Sequence, residues 1–440
     1  MLPLHLSFSQ AGRCRRLLSF LFVLGLALPV SLPAADYYLF QPGHGLTGQS
    51  AGVDFETTLA AAVDINTNMH ATAPNKYRVR IRFIEQVYDW PDIETSKDTY
   101  DISKILDDLR ACADRGLKLR VQICYKLVSY PDDYYLHTLD GANPNEATVK
   151  LVKGPYIPAE ETPYDIRLDR WQVRERLKKL YTKVIDRIKN SVDEDGNPLW
   201  NAFYGIVLQE TALAKPADPA FEWTPAIQDN WFANLKLVHA HLFEKLNNEN
   251  VPEPKRRLFW QMINAPRTRT EDIVNSMKAG NGGKGWGALC GPDTFPKEPH
   301  IGNPETGALW TALSETYQLM RDARTKLPIS LHVYSSNYRS PYRGGPLQEQ
   351  AIYNTAVGDN DNNLNTPDGI ANFLGCVPSP HVNSMQVHNV VWSLADNPNG
   401  TPAFTGWSRV KTWMKNTTQT VYGWVGGCNA APPSVVTTAP

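Results

Sequence analysis

The chain has 440 residues, 42% hydrophobic and 20% charged, the composition of a globular protein with ample core. Its 44 Lys and Arg nearly balance 45 Asp and Glu, and no basic stripe stands out, which excludes a nucleic-acid partner of the usual electrostatic kind. The 12 Trp and 19 Tyr exceed what a core alone needs, and flat rings serve as ligand platforms as well as packing units.

Residues 1–35 read as a processing segment, with Arg13, Arg15 and Arg16 ahead of an apolar run from Leu17 to Leu28 and the small-residue zone Leu32-Pro33-Ala34-Ala35. The run falls short of the roughly 18 to 20 residues that spanning requires, so cleavage near Asp36 is expected. That implies a secreted or periplasmic protein with no membrane association after cleavage. The remainder reads as one domain, 36–429, and a Pro/Thr-rich tail, 430–440, expected to be disordered. Past the leader stand Cys112, Cys124, Cys290, Cys376 and Cys428, an odd number that leaves at least one free. Cys376 with Cys428 is the favoured pair, since it would tie the last loop to the C-terminus. No CxxC and no zinc-type Cys/His spacing occurs, so no metal or other cofactor is expected.

In chain order, Asp36 to Phe40 suits a first strand, followed by a turn through Gly43-His44-Gly45 and helical spacing from Asp54 to Val63. Tyr77 to Glu85 alternates as a second strand, with Arg78, Arg80 and Arg82 on one face and Glu85 at its end. Inside a barrel such a face needs carboxylate partners, because an unpaired buried guanidinium is costly. Trp90-Pro91-Asp92-Ile93-Glu94 and Tyr100-Asp101-Ile102-Ser103 then lead to a helix, Lys104 to Arg115, closed by Gly116, and to the strand Leu117 to Cys124. A loop from Ser129 to Arg170 carries Tyr130, Tyr134, Tyr135, Tyr156 and Tyr164, expected to form an ordered wall. The basic helix Trp171 to Asn190, with Arg174, Arg176, Lys178, Lys179 and Lys183, reads as a solvated outer face.

Tyr204 to Leu208 is an apolar strand that ends in Gln209-Glu210. A helix from Ala226 to Asn247, the strand Arg257 to Asn264, a Gly-rich segment into a short strand near 288, and a helix from Glu305 to Thr325 follow. The seventh strand is Ile329 to Tyr334. A helix near Pro346 to Ala356, an Asn/Asp-rich loop from Asp359 to Asn365 that matches no trusted calcium motif, an eighth strand, Met385 to Ser393, and a helix from Trp407 to Lys415 complete the chain. Eight strands with helices between most of them predict an α/β fold, a (β/α)8 TIM barrel with long βα loops.

The run W-x-x-I-E, Y-D-I-S, a helix and G-L-K-L-R-V at Trp90–Glu94, Tyr100–Ser103 and Gly116–Val121 resembles the second-strand unit of barrel glycoside hydrolases. The resemblance is to the beta-galactosidase and cellulase-like superfamily, whose acid/base glutamate ends strand four. It implies a secreted glycoside hydrolase acting on a poly- or oligosaccharide, with Glu210 as acid/base and Glu94 as a structural residue. The superfamily usually has Asn before that glutamate, where this chain has Gln209. Its nucleophile is a Glu ending strand seven, and here Val333-Tyr334-Ser335-Ser336 carries no acid.

Asp293, presented by the Gly291-Pro292 turn, is the first replacement for that missing carboxylate and Glu85 the second. An ordinary turn role for Asp293, and pairing of Glu210 with one of the arginines, remain the competing readings. Arg82, Glu85, Trp90, Gln209, Gln261, Asn264, His332, Tyr334, Asn337, His388 and Trp392 are the expected sugar contacts, Trp392 as an aromatic floor. A barrel that binds carbohydrate without cleaving it is the alternative, and a different hydrolase on the same fold the third reading.

Overall fold

The computed structural model describes residues 38–40, 43–48, 53–68, 80–141, 147–153, 161–248, 257–264, 267–293, 318–333, 387–394, 411, 414 and 436–438. Eight parallel strands close into a barrel: β1 (Gly43–Thr47), β2 (Ile81–Asp89), β3 (Lys118–Cys124), β4 (Phe203–Leu208), β5 (Leu258–Met262), β6 (Ala288–Asp293), β7 (Ile329–Val333) and β8 (Asn389–Ser393). Each pairs with its neighbours in chain order, and β8 returns to β1 through Asn389↔Gly43 to Ser393↔Thr47. Helices α1 (Phe55–Asn68), α2 (Ser103–Ala113), α3 (Trp171–Lys189), α4 (Pro225–Asn247) and α5 (Arg267–Ala279) follow β1 to β5 in turn. Among the described residues no helix is long and apolar enough to cross a membrane. The leader, Cys376, Cys428, the 359–365 loop and the predicted helix near 346–356 lie outside the described residues, as does the 407–415 helix apart from Lys411 and Met414.

The core has two layers, as a barrel wrapped in helices requires. Inside the barrel lie Phe83, Tyr204, Val207, Leu258, Trp260, Met262, Ala288, Cys290 and Val391. The intervening strand residues face the helices and join one large cluster. In α3 the buried residues Val173, Leu177, Leu180, Tyr181, Val184 and Ile188 recur at three- and four-residue spacing, one stripe on the strands. Burying each such side chain contributes about 1.5–3 kcal/mol. Gly116 ends α2 at φ +64°, with Leu117 N bonded to Cys112 O at 2.9 Å, the left-handed turn that glycine allows.

Two of the differences from the expected strands bear on the site. The first barrel strand is Gly43–Thr47, not Asp36–Phe40; Tyr38–Phe40 pairs instead with Val436–Thr438 outside the barrel. Glycines weaken a strand signal, yet here one is required: a Cβ on Gly45 would lie 2.2 Å from the Phe83 ring that fills the interior. The second strand starts at Ile81 and runs to Asp89, so Glu85 sits in its middle and Asp89 takes the end. Helix α5 had no counterpart in the sequence reading, because Arg267–Ala279 is polar and its apolar stripe is thin.

The described parts of the long loop after β3 centre on a small antiparallel sheet of Lys126–Ser129, Pro163–Ile166 and Thr148–Lys150. Its aromatics pack on one another, with Tyr130 and Tyr134 stacked at 5.3 Å and the His137 and Tyr164 rings tilted at 4.6 Å, and Tyr130, Tyr134 and Tyr164 join the large cluster. Tyr130, Tyr134 and Tyr164 are buried there, which takes them away from a cleft wall; Tyr156 lies outside the described residues. On α3 the expectation of a solvated basic face fails at Arg176, which is largely buried and pairs with Glu94 and Asp98.

Candidate active site

The mouth at the C-terminal strand ends is held together by β3, β4 and β5. Gln209 follows β4 with its side chain turned to the end of β3, where its Oε1 accepts from Tyr125 N at 2.8 Å and Lys126 N at 2.6 Å. Its Nε2 contacts Cys124 Sγ, so both ends of the amide are engaged within the fold. Lys126 Nζ donates to the carbonyl oxygens of Glu210, at 2.9 Å, and Ala212, which pins the chain just past β4. On that pinned turn the half-buried Glu210 carboxylate receives Asn264 Nδ2 at 2.6 Å, while Asn264 N donates to Thr211 Oγ1 at 2.9 Å. Glu210 and Asn264, 54 residues apart, therefore meet as one unit at the mouth.

Two more carboxyls lie at or just beyond the C-terminal ends of β2 and β3. Asp89 ends β2 half-buried; burial, with Asp92 and Glu161 adding to it, raises its pKa to about 6 against the Cys124 hydrogen bond. Asp165 is fully buried and faces Lys126 across the small sheet. Burial raises it to about 6, Lys126 opposes that, and Glu210 adds to it. Neither Asp165 oxygen makes a well-formed hydrogen bond, with the Ile166 amide a weak donor. Asp89, Asp165 and Lys126 were missed in the sequence. The signal for Asp89 was present, as the last residue before Trp90, once β2 is extended to it.

Beneath the mouth lies a charged cluster. Glu85 Oε2 accepts from Arg120, and Glu85 Oε1 accepts from His332 Nε2 at 2.6 Å. His332 Nδ1 stands 3.1 Å from Cys290 Sγ. The Arg120 guanidinium lies between the rings of Phe83, at 5.0 Å, and Trp260, at 4.9 Å, and reaches Ser330 Oγ at 3.3 Å. All of these groups are fully buried. Burial alone would raise Glu85, but Arg120 and His332 outweigh it and hold the carboxyl at about 2. Burial alone would lower His332, and the Cys290 and Glu85 neighbours outweigh it and raise the imidazole to about 10.

The other expected contacts are dispersed. Arg82 is the second residue of β2, at the N-terminal end, remote from the mouth. Trp90 is buried in the helix layer with Nε1 bonded to Glu94 Oε2 at 2.9 Å; Glu94 also takes Tyr135 OH at 2.6 Å and Arg176, a structural knot. Gln261 faces the helices, where His239 Nε2 meets its Oε1 at 2.8 Å. His388 precedes β8 and its Nδ1 accepts from Ile329 N at 3.0 Å, at the barrel's N-terminal end. Trp392 alternates with interior Val391 and so points outward, donating from Nε1 to His44 Nδ1 at 2.9 Å. It cannot serve as the floor of the mouth. Asp293 ends β6 and pairs in register with His332. Tyr334 and Asn337 lie outside the described residues.

No family model and no curated protein matches the sequence. Among solved structures, the chain is similar to an exo-beta-1,4-mannosidase from Opitutaceae bacterium strain TAV5, at 13% identity and TM-score 0.43, over 90% of this chain and 59% of that one. It therefore spans less than two thirds of that mannosidase. A psychrophilic glycoside hydrolase family 10 endo-beta-1,4-xylanase matches at 10% identity and TM-score 0.42, over 85% of this chain and 96% of the other. A D-psicose 3-epimerase from Clostridium cellulolyticum H10 matches at 11% and 0.38, over 84% and 90%. The barrel itself rests on the strand order of this chain, and a fold of this kind hosts unrelated chemistries.

Proposed function

We propose that the chain is a secreted glycoside hydrolase that cleaves O-glycosidic bonds of a poly- or oligosaccharide, with Glu210 as acid/base. The observation that carries this reading is the Glu210 carboxylate just past β4, half-exposed at the mouth and oriented by Asn264 at 2.6 Å. A proton donor to a leaving glycosidic oxygen needs this combination of fixed direction and access. Asp293, at the end of β6, is the partner carboxylate in this proposal. Asp89, at the end of β2 with a pKa raised to about 6, is a second carboxyl suited to hold a proton near neutral pH.

The test is reducing-sugar release from a panel of polysaccharides by the parent, Glu210→Gln, Asp293→Asn and Asp89→Asn. Loss of at least a hundredfold in Glu210→Gln, with folding intact, is the expected result; equal release by parent and variant would remove Glu210 from the reaction.

A second reading is favoured by one observation: β7, Ile329–Val333, carries no carboxylate. A barrel that binds carbohydrate without cleaving it would show saturable binding in the same panel and no release of reducing ends.

A further inference from the structure

We propose that Cys290, His332 and Glu85 form a nucleophilic thiol site inside the barrel that reacts with small hydroperoxides. Sulfur, imidazole and carboxylate are in series, with Cys290 Sγ 3.1 Å from His332 Nδ1 and His332 Nε2 2.6 Å from Glu85 Oε1. This is the order of an activated nucleophile, its base and the group that orients the base. An ionised carboxylate only accepts, so His332 Nε2 carries the hydrogen it donates to Glu85, and Nδ1 is left to face the sulfur. The remaining proton sits either on sulfur or on Nδ1. Its transfer across the 3.1 Å contact leaves the net charge of the cluster unchanged, so it incurs no new burial of net charge.

Arg120 supplies a second N–H group 3.9 Å from Sγ, and the Phe83 and Trp260 rings on either side prevent it from swinging away. The other two described cysteines lack this arrangement. Cys112 is buried on the inner face of α2 with Leu109 and, one turn before it, the Asp108 carboxyl, and Cys124 donates to Lys126 O at 3.2 Å.

Position selects the size of the reactant. The cluster lies one interior layer below half-exposed Val87 and is covered by the Gln122 Nε2–Met262 Sδ contact at 3.7 Å. The layer is about 7 Å deep, and with Cys290, His332, Glu85 and Arg120 all fully buried, only a reactant little larger than water, not a sugar or peptide, could penetrate the packing to reach the thiol. In the reaction the proton moves to His332 Nδ1 and the sulfur attacks one peroxide oxygen. The S–O bond forms as the O–O bond breaks, and the departing oxygen takes the proton from Nδ1 and leaves as water, or as an alcohol from an alkyl hydroperoxide. Cys290 is oxidised to the sulfenic acid and the peroxide is reduced.

The test treats the folded full chain with hydrogen peroxide, quenches with catalase, and unfolds it in iodoacetamide with dimedone for peptide mass spectrometry. The expected result is loss of the free Cys290 thiol at least tenfold faster than that of Cys112 in the same molecules, with a dimedone adduct on Cys290. His332→Gln should slow Cys290 at least tenfold and leave Cys112 unchanged. Equal rates for Cys290 and Cys112 in the parent would overturn the proposal, and that comparison requires no variant to fold. Parent-like oxidation of Cys290 in a folded His332→Gln would overturn it equally. Neither outcome bears on Glu210.

Discussion

His332 Nε2 lies 2.6 Å from Glu85 Oε1 inside the barrel, although 247 residues separate the two along the chain. The same carboxylate holds Arg120 with its other oxygen, so one anion serves two cationic partners from β3 and β7. Its removal therefore acts on the whole cross-section of the barrel.

Glu85→Ala leaves the Arg120 guanidinium buried without its carboxylate. Breaking a buried pair in this way costs about 3–5 kcal/mol. Urea denaturation should show a loss of that size; a loss below about 1 kcal/mol would mean that the cluster is neutralised from elsewhere.

The pH dependence of that loss has a definite sign. Glu85 is lowered from 4.5 to about 2, so its stabilisation is complete above pH 4.5 and disappears as pH falls toward 2. His332 is raised from 6.5 to about 10, so its stabilisation is complete below pH 6.5 and disappears as pH rises toward 10. The stability difference between parent and Glu85→Gln should thus be greatest from about pH 4.5 to 6.5 and shrink on both sides. A difference that is flat from pH 3 to 10 would contradict this.

Asp165 works in the opposite direction. Its pKa is raised from 3.8 to about 6, so the folded state favours the protonated carboxyl, and that contribution is lost as pH rises through 6. Asp165→Asn should raise stability by about 1–3 kcal/mol at pH 8 and leave it unchanged at pH 3, judged by urea midpoints. Destabilisation at pH 8 would show that Lys126 depends on this carboxylate more than burial opposes it.

Asn264→Ala removes the donor that orients Glu210. A hydrogen bond to a charged group is worth about 1.5–3 kcal/mol, which corresponds to roughly 10- to 150-fold in turnover. The expected outcome in steady-state kinetics is a fall in kcat of that size with KM within about threefold of the parent. A change in KM alone would make Asn264 a substrate contact instead.

Gln261→Ala and Trp392→Phe alter residues that face the helices. Carbohydrate affinity measured by calorimetry should stay within about twofold of the parent, while each variant loses about 1–3 kcal/mol of stability from a broken buried hydrogen bond. A tenfold loss of affinity in either would return it to the mouth.

Much of the barrel was legible because its signals are local. Apolar runs such as Tyr204–Leu208 mark strands buried on both faces, and stripes such as Val173 to Ile188 mark helices. The placement of Glu210 just past β4 followed from the end of one apolar run. The β1 glycines hid a strand because their lack of side chains, the feature that admits Phe83, is also what lowers strand propensity.

The sequence by itself determined the barrel class, the approximate places of seven of its eight strands and a glutamate at the close of the fourth. Only the tertiary structure decided which polar side chains share a space. Strand side chains alternate with a period of two, so a boundary moved by four residues carries Glu85 from a strand end to the interior, and one residue of parity turns Trp392 and Gln261 outward. The meeting of Glu85, Arg120, Cys290 and His332 depends on barrel closure, which brings β2, β3, β6 and β7 around one axis. No local pattern encodes that closure, because it arises from the summed twist and stagger of all eight strands.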